Sequence, residues 1–446
     1  MARHPGVIAL GCLLACSAGL ASAPAAGPTP ASAAPAARAE LPSAVRNSGA
    51  AVERVRVRKQ GGEMALRVEL LAGASSVRLS GNGAWRMYEA DGATFITGAT
   101  SGETWRFERA GRRVRAVRVD GDPTPWEQGS ILARVTDDGY LAVNGKPYRG
   151  SIRIVATDSG LMVVNFLSVE DYVRGVVSLE LGTRQPGDSA ALQAQAIAAR
   201  SYVFTHLSES PRRDYDLTSG VLDQVYGGVN AETAVGNAAV ESTTRLVLAY
   251  GGRVVNAPYH STCGGRTAEA PEVWRTPGEP YLQSVSDRIP GTDRYYCDIS
   301  PRFTWTRTMT GAQVNAAIER YLRSYVDLPR GGPGRVRDVA VTATTPSGRV
   351  GTLAVDTDRG RYTLRGNDIR FVLRTPGGEI LNSTYFSVDA HRGNDGALVS
   401  LVINGRGNGH GVGMCQWGAI GRARAGQDFR TILGAYFPGT TIGLAD

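Results

Sequence analysis

The sequence predicts an α+β protein, with a β-rich N-terminal region followed by a mixed α+β domain. Three observations carry that expectation. Short runs of alternating apolar and polar residues fill Val52 to Thr157, helical periodicity begins at Ser168, and β-like runs return between Arg335 and Asn404. Alternation sends successive side chains to opposite faces of a strand, whereas apolar residues recurring every three or four positions form one stripe on a helix.

The β-rich part reads VERVRVR, ALRVELL, SVRLSG, TWRFERA, RRVRAVRV, GYLAVNG and GSIRIVAT, separated by turn residues such as Ser-Gly-Asn-Gly at 80–83. The 56 glycines in 446 residues exceed the usual share of about 7% and favour the same turn-rich architecture. In SVEDYVRGVVSLELG, Ser168 is a helix cap, Val169, Val173, Val176 and Val177 form an apolar stripe, and Gly182 is a stop. In DSAALQAQAIAARSYVFTHL, Asp188 or Ser189 caps, and Ala191, Ala194, Ala198 and Ala199 make a face small enough for close helix packing. Further helices are predicted at 231–242, 311–324, 367–373 and 429–436.

Before the β-rich part, Arg3 and His4 precede an apolar run, Gly6 to Leu14, and then small residues, the order of a secretory signal peptide over 1–23. Leu13-Leu14-Ala15-Cys16 also fits a lipobox that would leave Cys16 lipidated; both readings export the chain. Residues 24–50 are an Ala/Pro-rich linker, 51–147 the β-rich region, and 148–443 the main domain. No later run reaches the ~18 apolar residues of a membrane helix, so membrane contact is expected through such an anchor alone. The formal charge is +8, but the arginines are scattered, with no basic run, aromatic interleaving or zinc-finger spacing. Nucleic acid is therefore not an expected partner, and diffuse positive charge suits an anionic cell surface.

Glu180 is the first candidate for chemistry. It sits near a helix C-terminus among Val177, Leu179 and Leu181, where apolar surroundings and the helix dipole both disfavour a carboxylate. A carboxyl kept protonated near neutrality is what glycosidic cleavage needs from a general acid. A hydrolytic glycosidase needs a second carboxylate, yet Glu170 and Asp171, more than two turns earlier, are poorly placed for that role. One acid without a partner points to chemistry in which the substrate supplies its own nucleophile.

The stretch YHSTCGGRTAEAPEVW brings His260 and Cys263, and Cys297 follows in RYYCDIS. In an exported protein a Cys263–Cys297 disulfide is the expected pairing, which leaves His260 for substrate or for orienting a catalytic group. Zinc held by His260, Cys263 and Cys297 is the alternative, short of a fourth ligand. A Cys–His protease would require a free thiolate at Cys263. No metal or other cofactor is otherwise expected.

GRGNGHGVGMCQWGA, 405–419, alternates glycine with Arg406, Asn408, His410 and Val412. No GxGxxG frame and no Gly-Lys-Ser/Thr fits it, so a phosphate loop is rejected. Period two suggests an extended strand with one bare face able to lie close to the Glu180 helix. Gln416 and Trp417 follow, an amide and an aromatic face that suit a sugar ring.

Taken together, VNFLSVEDYVRGVVSLELG, ALQAQAIAARSYVF, DQVYGG, APYHSTCGGRTAEAPEVWRTPGEPYLQSVSD and GRGNGHGVGMCQWGAIGRARAGQDFRTILGAYFPGT resemble the stage II sporulation protein D family, also called SpoIID/LytB. The five stretches occur in family order from about Tyr148 to Gly443. That family includes lytic transglycosylases acting on peptidoglycan glycan strands stripped of stem peptides, and enhancers of amidase autolysins. The resemblance implies Glu180 as the catalytic acid, a 1,6-anhydro product, and a cleft drawn from Gln224, Tyr226, His260, His410 and Gln416. It makes peptidoglycan, and an N-acetylmuramoyl-L-alanine amidase, the expected partners at the cell wall. Two features depart from the family. Some relatives bind zinc through cysteine and histidine just before the Gln-x-Tyr motif, where this chain has Asp223 beside Gln224. The Ser-Glu-Met-Pro of many relatives is Leu179-Glu180-Leu181-Gly182 here.

Overall fold

The computed structural model describes residues 53–55, 57, 65–209, 214–221 and 223–446. The predicted signal peptide, Cys16 and the 24–50 linker lie outside them. Eight helices occur among the described residues: α1 (Val169–Leu181), α2 (Ser189–Glu209), α3 (Ala234–Ser242), α4 (Ala270–Val273), α5 (Gly311–Tyr321), α6 (Asp368–Val372), α7 (Gln416–Arg424) and α8 (Phe429–Tyr436). None of them is long and apolar enough to cross a membrane.

Alternating sequence becomes sheet from Ala65 onward. Strands at 77–81, 104–110, 113–118, 127–128, 141–143 and 146–148 form a six-stranded sheet. A seven-stranded sheet combines 65–74, 85–88, 95–99 and 130–135 with 151–157, 160–168 and 217–218. The boundary expected at 147/148 therefore cuts this sheet. Strand Gly160–Ser168 pairs antiparallel with Ala65–Ala74 over nearly its whole length, so the β-rich region and the helical part share one core. The reason is connectivity: the last strand runs straight into α1, and its apolar face cannot be separated from the helix it feeds.

Helix α2 is buried on nearly every side, as its Ala-rich composition requires. α1, α3, α7 and α8 surround it, and strand Leu246–Tyr250 lies alongside. A helix apolar all round belongs inside a domain. Its one buried cation, Arg200, is fully occupied: two guanidinium nitrogens meet Glu170 at 2.9 and 2.7 Å, and a third reaches the Leu246 carbonyl at 2.8 Å.

Residues 304–406 form a second unit with its own apolar core, built from Val314, Ile318, Leu353, Leu364, Leu401 and Ile403 among others. Two three-stranded sheets and helices α5 and α6 enclose that core. This unit is inserted between the His260 and His410 segments, yet the chain returns to its starting point. Tyr259–His260 pairs in parallel with Met414–Cys415.

The alternating glycines are the clearest departure from the strand expectation. The strand ends at Arg406, and Gly407, Gly409, Gly411 and Gly413 all take φ between 71° and 111°. Alternate residues in the left-handed region curl a chain rather than extend it, and glycine alone enters that region without strain. The bare positions face segment 258–264 and Arg349, not α1: a Cβ on Gly407 would come 2.7 Å from the Thr262 carbonyl oxygen, and one on Gly411 2.5 Å from the Arg349 guanidinium.

Candidate active site

Glu180 occupies the last turn of α1. Ser168 leaves the sheet with extended backbone, its hydroxyl accepts the Asp171 N–H at 3.1 Å, and Gly182, at φ 74°, ends the helix. Val176 and Val177, four and three positions earlier, are buried and turn Glu180 inward with them. Glu180 is 4% exposed, whereas neighbouring Leu179 is 40% exposed, so Glu180 lies just beneath the surface.

Two donors fix the carboxylate. The Val225 N–H gives a hydrogen bond to Oε1 at 3.1 Å and Gln416 Nε2 one to Oε2 at 3.3 Å. Gln416 Nε2 also faces Gln195 Oε1 at 3.5 Å, on the buried face of α2. Burial pushes the Glu180 carboxyl up to about 7, against the downward pull of the two hydrogen bonds. A carboxyl poised there can give a proton near neutrality and take one back. The neighbouring acids are already committed: Glu170 to Arg200 and the Arg245 N–H, Asp171 to Arg174 and Ser168, and Asp223 to Thr218 and Tyr202.

Of the five residues expected in a cleft, Gln416 is the one whose side chain hydrogen-bonds to Glu180. Gln224 gives its amide hydrogens to Tyr259 Oη at 2.9 Å and the Ala199 carbonyl at 3.5 Å, leaving Oε1 buried without a partner. Tyr226 is packed between Tyr148 and Tyr172, and its hydroxyl donates to Asn165 Oδ1 at 3.0 Å. It lies against Gly175, where a Cβ would come 2.5 Å from its ring. What this segment offers Glu180 is therefore the backbone N–H of Val225, between the two expected side chains. His410 accepts the Val412 N–H at Nδ1 (3.1 Å) and donates from Nε2 to the Tyr259 carbonyl (2.8 Å), so neither ring nitrogen is left for a substrate. His260 donates from Nδ1 to the Val412 carbonyl at 3.1 Å, and its buried Nε2 has no partner. Burial, with the Arg349 charge adding to it, lowers His260 to about 3, so the ring is neutral at physiological pH. Trp417 is partly buried against the core, with the Arg184 guanidinium 5.0 Å from its ring centre.

The expected cysteine pair is present without its bond. Cys263 and Cys297 are free thiols with sulfurs 3.5 Å apart. Cys415 and Asp287 join them, and the four ligand atoms, all on buried residues, lie within 4.8 Å of one another. His260 is not a member of this group; its Nδ1 is held by the Val412 carbonyl. Gln195, the Val225 N–H and Asp287 are the participants that sequence reasoning missed; Cys415 is legible in the sequence as the third cysteine beyond the predicted signal peptide.

The sequence model of the family described as Stage II sporulation protein matches residues 157–250, from the strand before α1 to the strand after α3. Stage II sporulation protein D of Bacillus subtilis is 31% identical over 336 residues, covering 72% of this chain and 86% of that protein. The chain belongs to the stage II sporulation protein D (SpoIID/LytB) family. An uncharacterized protein of Brachyspira hyodysenteriae is 28% identical over 380 residues, 84% of this chain and 92% of that one. The amidase enhancer of Bacillus subtilis is 30% identical over 279 residues; the match covers 56% of this chain and 38% of the enhancer. A second family, described as a domain of unknown function (DUF8618), matches 292–413 and so overlies the inserted unit of this SpoIID-family chain. Membership gives the chain a cell-wall-related role.

Proposed function

We propose that this SpoIID-family chain is an exported lytic transglycosylase that cuts glycan strands of peptidoglycan, with Glu180 as its acid and base. The observation that carries the reading is the buried Glu180 carboxyl, raised to about 7 and held at both oxygens by Val225 and Gln416. Protonated Glu180 gives its proton to the glycosidic oxygen as the bond to C1 breaks. The resulting carboxylate accepts the proton of the muramic 6-hydroxyl as that oxygen bonds to C1. The product is a 1,6-anhydro end, no water enters, and Glu180 recovers its proton. The commitment of Glu170, Asp171 and Asp223 to other partners supports this route, since it needs no second carboxylate.

The test is incubation of the chain lacking residues 1–23 with amidase-treated glycan strands. Anhydro-muramyl products, read by mass spectrometry, are expected from wild type and not from Glu180→Gln. Wild type without products, or a variant that matches it, sinks the proposal. The rival reading, a non-catalytic enhancer of an amidase, is favoured by the similarity to the Bacillus subtilis amidase enhancer. It predicts that Glu180→Gln leaves amidase stimulation intact.

The pH profile follows from the same group. Cleavage needs protonated Glu180, so kcat/KM is expected to be level on the acid side and to fall as pH rises through about 7. The Gln416 hydrogen bond lowers the Glu180 pKa. Gln416→Leu is therefore expected to move the falling limb to higher pH, and a limb displaced toward acid would contradict that arrangement.

A further inference from the structure

We propose that Cys263, Cys297, Cys415 and Asp287 form a tetrahedral zinc site that fixes the start of α7, and with it Gln416, to the segment around Cys263. Three sulfurs and one carboxylate oxygen form a donor set suited to zinc. Zn–S bonds of about 2.3 Å in a tetrahedron place neighbouring sulfurs about 3.8 Å apart. Here Cys263 and Cys297 are 3.5 Å apart, Cys263 Sγ and Asp287 Oδ2 3.8 Å, and no pair of ligand atoms exceeds 4.8 Å.

The surroundings orient the ligands as outer-shell partners of a metal do. Asp287 Oδ1 accepts the Tyr436 hydroxyl at 2.7 Å and lies 3.3 Å from the Arg422 guanidinium, which leaves Oδ2 turned toward the thiols. Cys415 Sγ accepts the backbone N–H groups of Cys263 at 3.2 Å and Gly418 at 3.3 Å, the latter in the first turn of α7. Gly418 keeps the space clear, because a Cβ there would lie 2.5 Å from Asp287 Oδ2. The charges also balance. Three thiolates and a carboxylate carry four negative charges, offset by a divalent ion, Arg422 and the buried Arg349, whose guanidinium bonds the Cys263 carbonyl at 2.9 Å.

The segment has a use for such a staple. Between His260 and Thr304 the regular structure is one single-turn helix, α4, and a 3-10 turn at Tyr296–Ile299. The ligands come from four separate places: before α4, after it, from that 3-10 turn, and from the cap of α7. A disulfide between Cys263 and Cys297 would use two of the four and leave Cys415 and Asp287 Oδ2 facing each other.

Metal content decides the matter without reference to glycan cleavage. The full chain, expressed with zinc and purified without chelator, is expected to carry about one zinc per chain. Peptide mapping is expected to show all three cysteines alkylated in denaturant without prior reduction. Cobalt(II) in place of zinc is expected to give thiolate-to-metal charge-transfer absorption. Cys297→Ser, Cys415→Ser and Asp287→Ala should each weaken zinc binding at least about tenfold, while His260→Ala keeps it. Wild type that takes up no zinc when reduced and supplied with the ion overturns the proposal, as does zinc that survives Cys415→Ser but not His260→Ala. Where the cysteine variants fail to fold, the cobalt spectrum of wild type decides, and absence of the charge-transfer band counts against the site.

Discussion

Glu180→Gln is expected to abolish strand cleavage and, in the same chain, to raise stability at alkaline pH. The activity loss should reach about 10²–10⁴-fold, the range for removing a positioned general acid and base. The stability gain follows from linkage. In the folded chain Glu180 holds its proton up to about 7, against a usual value of 4.5. Its contribution is therefore fully present below about 4.5 and is lost as pH climbs through 7, amounting to about 3 kcal/mol at most. Glutamine keeps the shape and an oxygen for the Val225 N–H but does not ionise. The stability gap between variant and wild type, measured by denaturant unfolding, should widen by about 2 kcal/mol between pH 5 and pH 8. A gap that stays constant with pH would mean that ionised Glu180 is not under strain in the fold.

Gly413→Ala should cost about 3–5 kcal/mol of stability, among the largest effects a single methyl can have. Gly413 sits at φ 71°, and an added Cβ would come 2.1 Å from the Pro258 carbonyl oxygen and 3.1 Å from Phe437. That carbonyl accepts the Met414 N–H at 3.1 Å and so begins the parallel pair that aligns Tyr259–His260 with Met414–Cys415. To admit the methyl the two segments must separate, and Gln416, three residues on, moves with them. Gly426→Ala is the matched control: φ is 82°, and no atom lies within 4 Å of a Cβ there. It should show the backbone penalty alone, about 1–2 kcal/mol. Equal losses in the two variants would remove the close approach as the cause. A larger loss at Gly413, with anhydro-muramyl yield falling in the surviving folded protein, would tie the glycine pattern to the placement of Gln416.

Local chemistry made much of this protein legible. The cap at Ser168, the valine stripe and the stop at Gly182 define α1 within the sequence, and the apolar neighbours of Glu180 already imply a raised pKa. The alanines of α2 announce close packing because small side chains permit little else. The glycine alternation was misleading for a physical reason. Period two is shared by a flat strand and by a chain that enters the left-handed region at every second residue, and composition cannot separate the two.

Sequence alone determined the helix that carries Glu180 and the family, and made Glu180 the candidate, because these depend on short-range periodicity and on ordered motifs. Tertiary structure decided what surrounds the carboxyl. Gln416 is 236 residues away and Val225 acts through its backbone, which has no residue signature. Tertiary structure also placed Tyr226 and His410 in packing roles and gathered Cys415 and Asp287 beside Cys263 and Cys297. Such convergence is set by the fold bringing 259–260 against 414–415 across an entire inserted unit, a long-range pairing that no local pattern encodes.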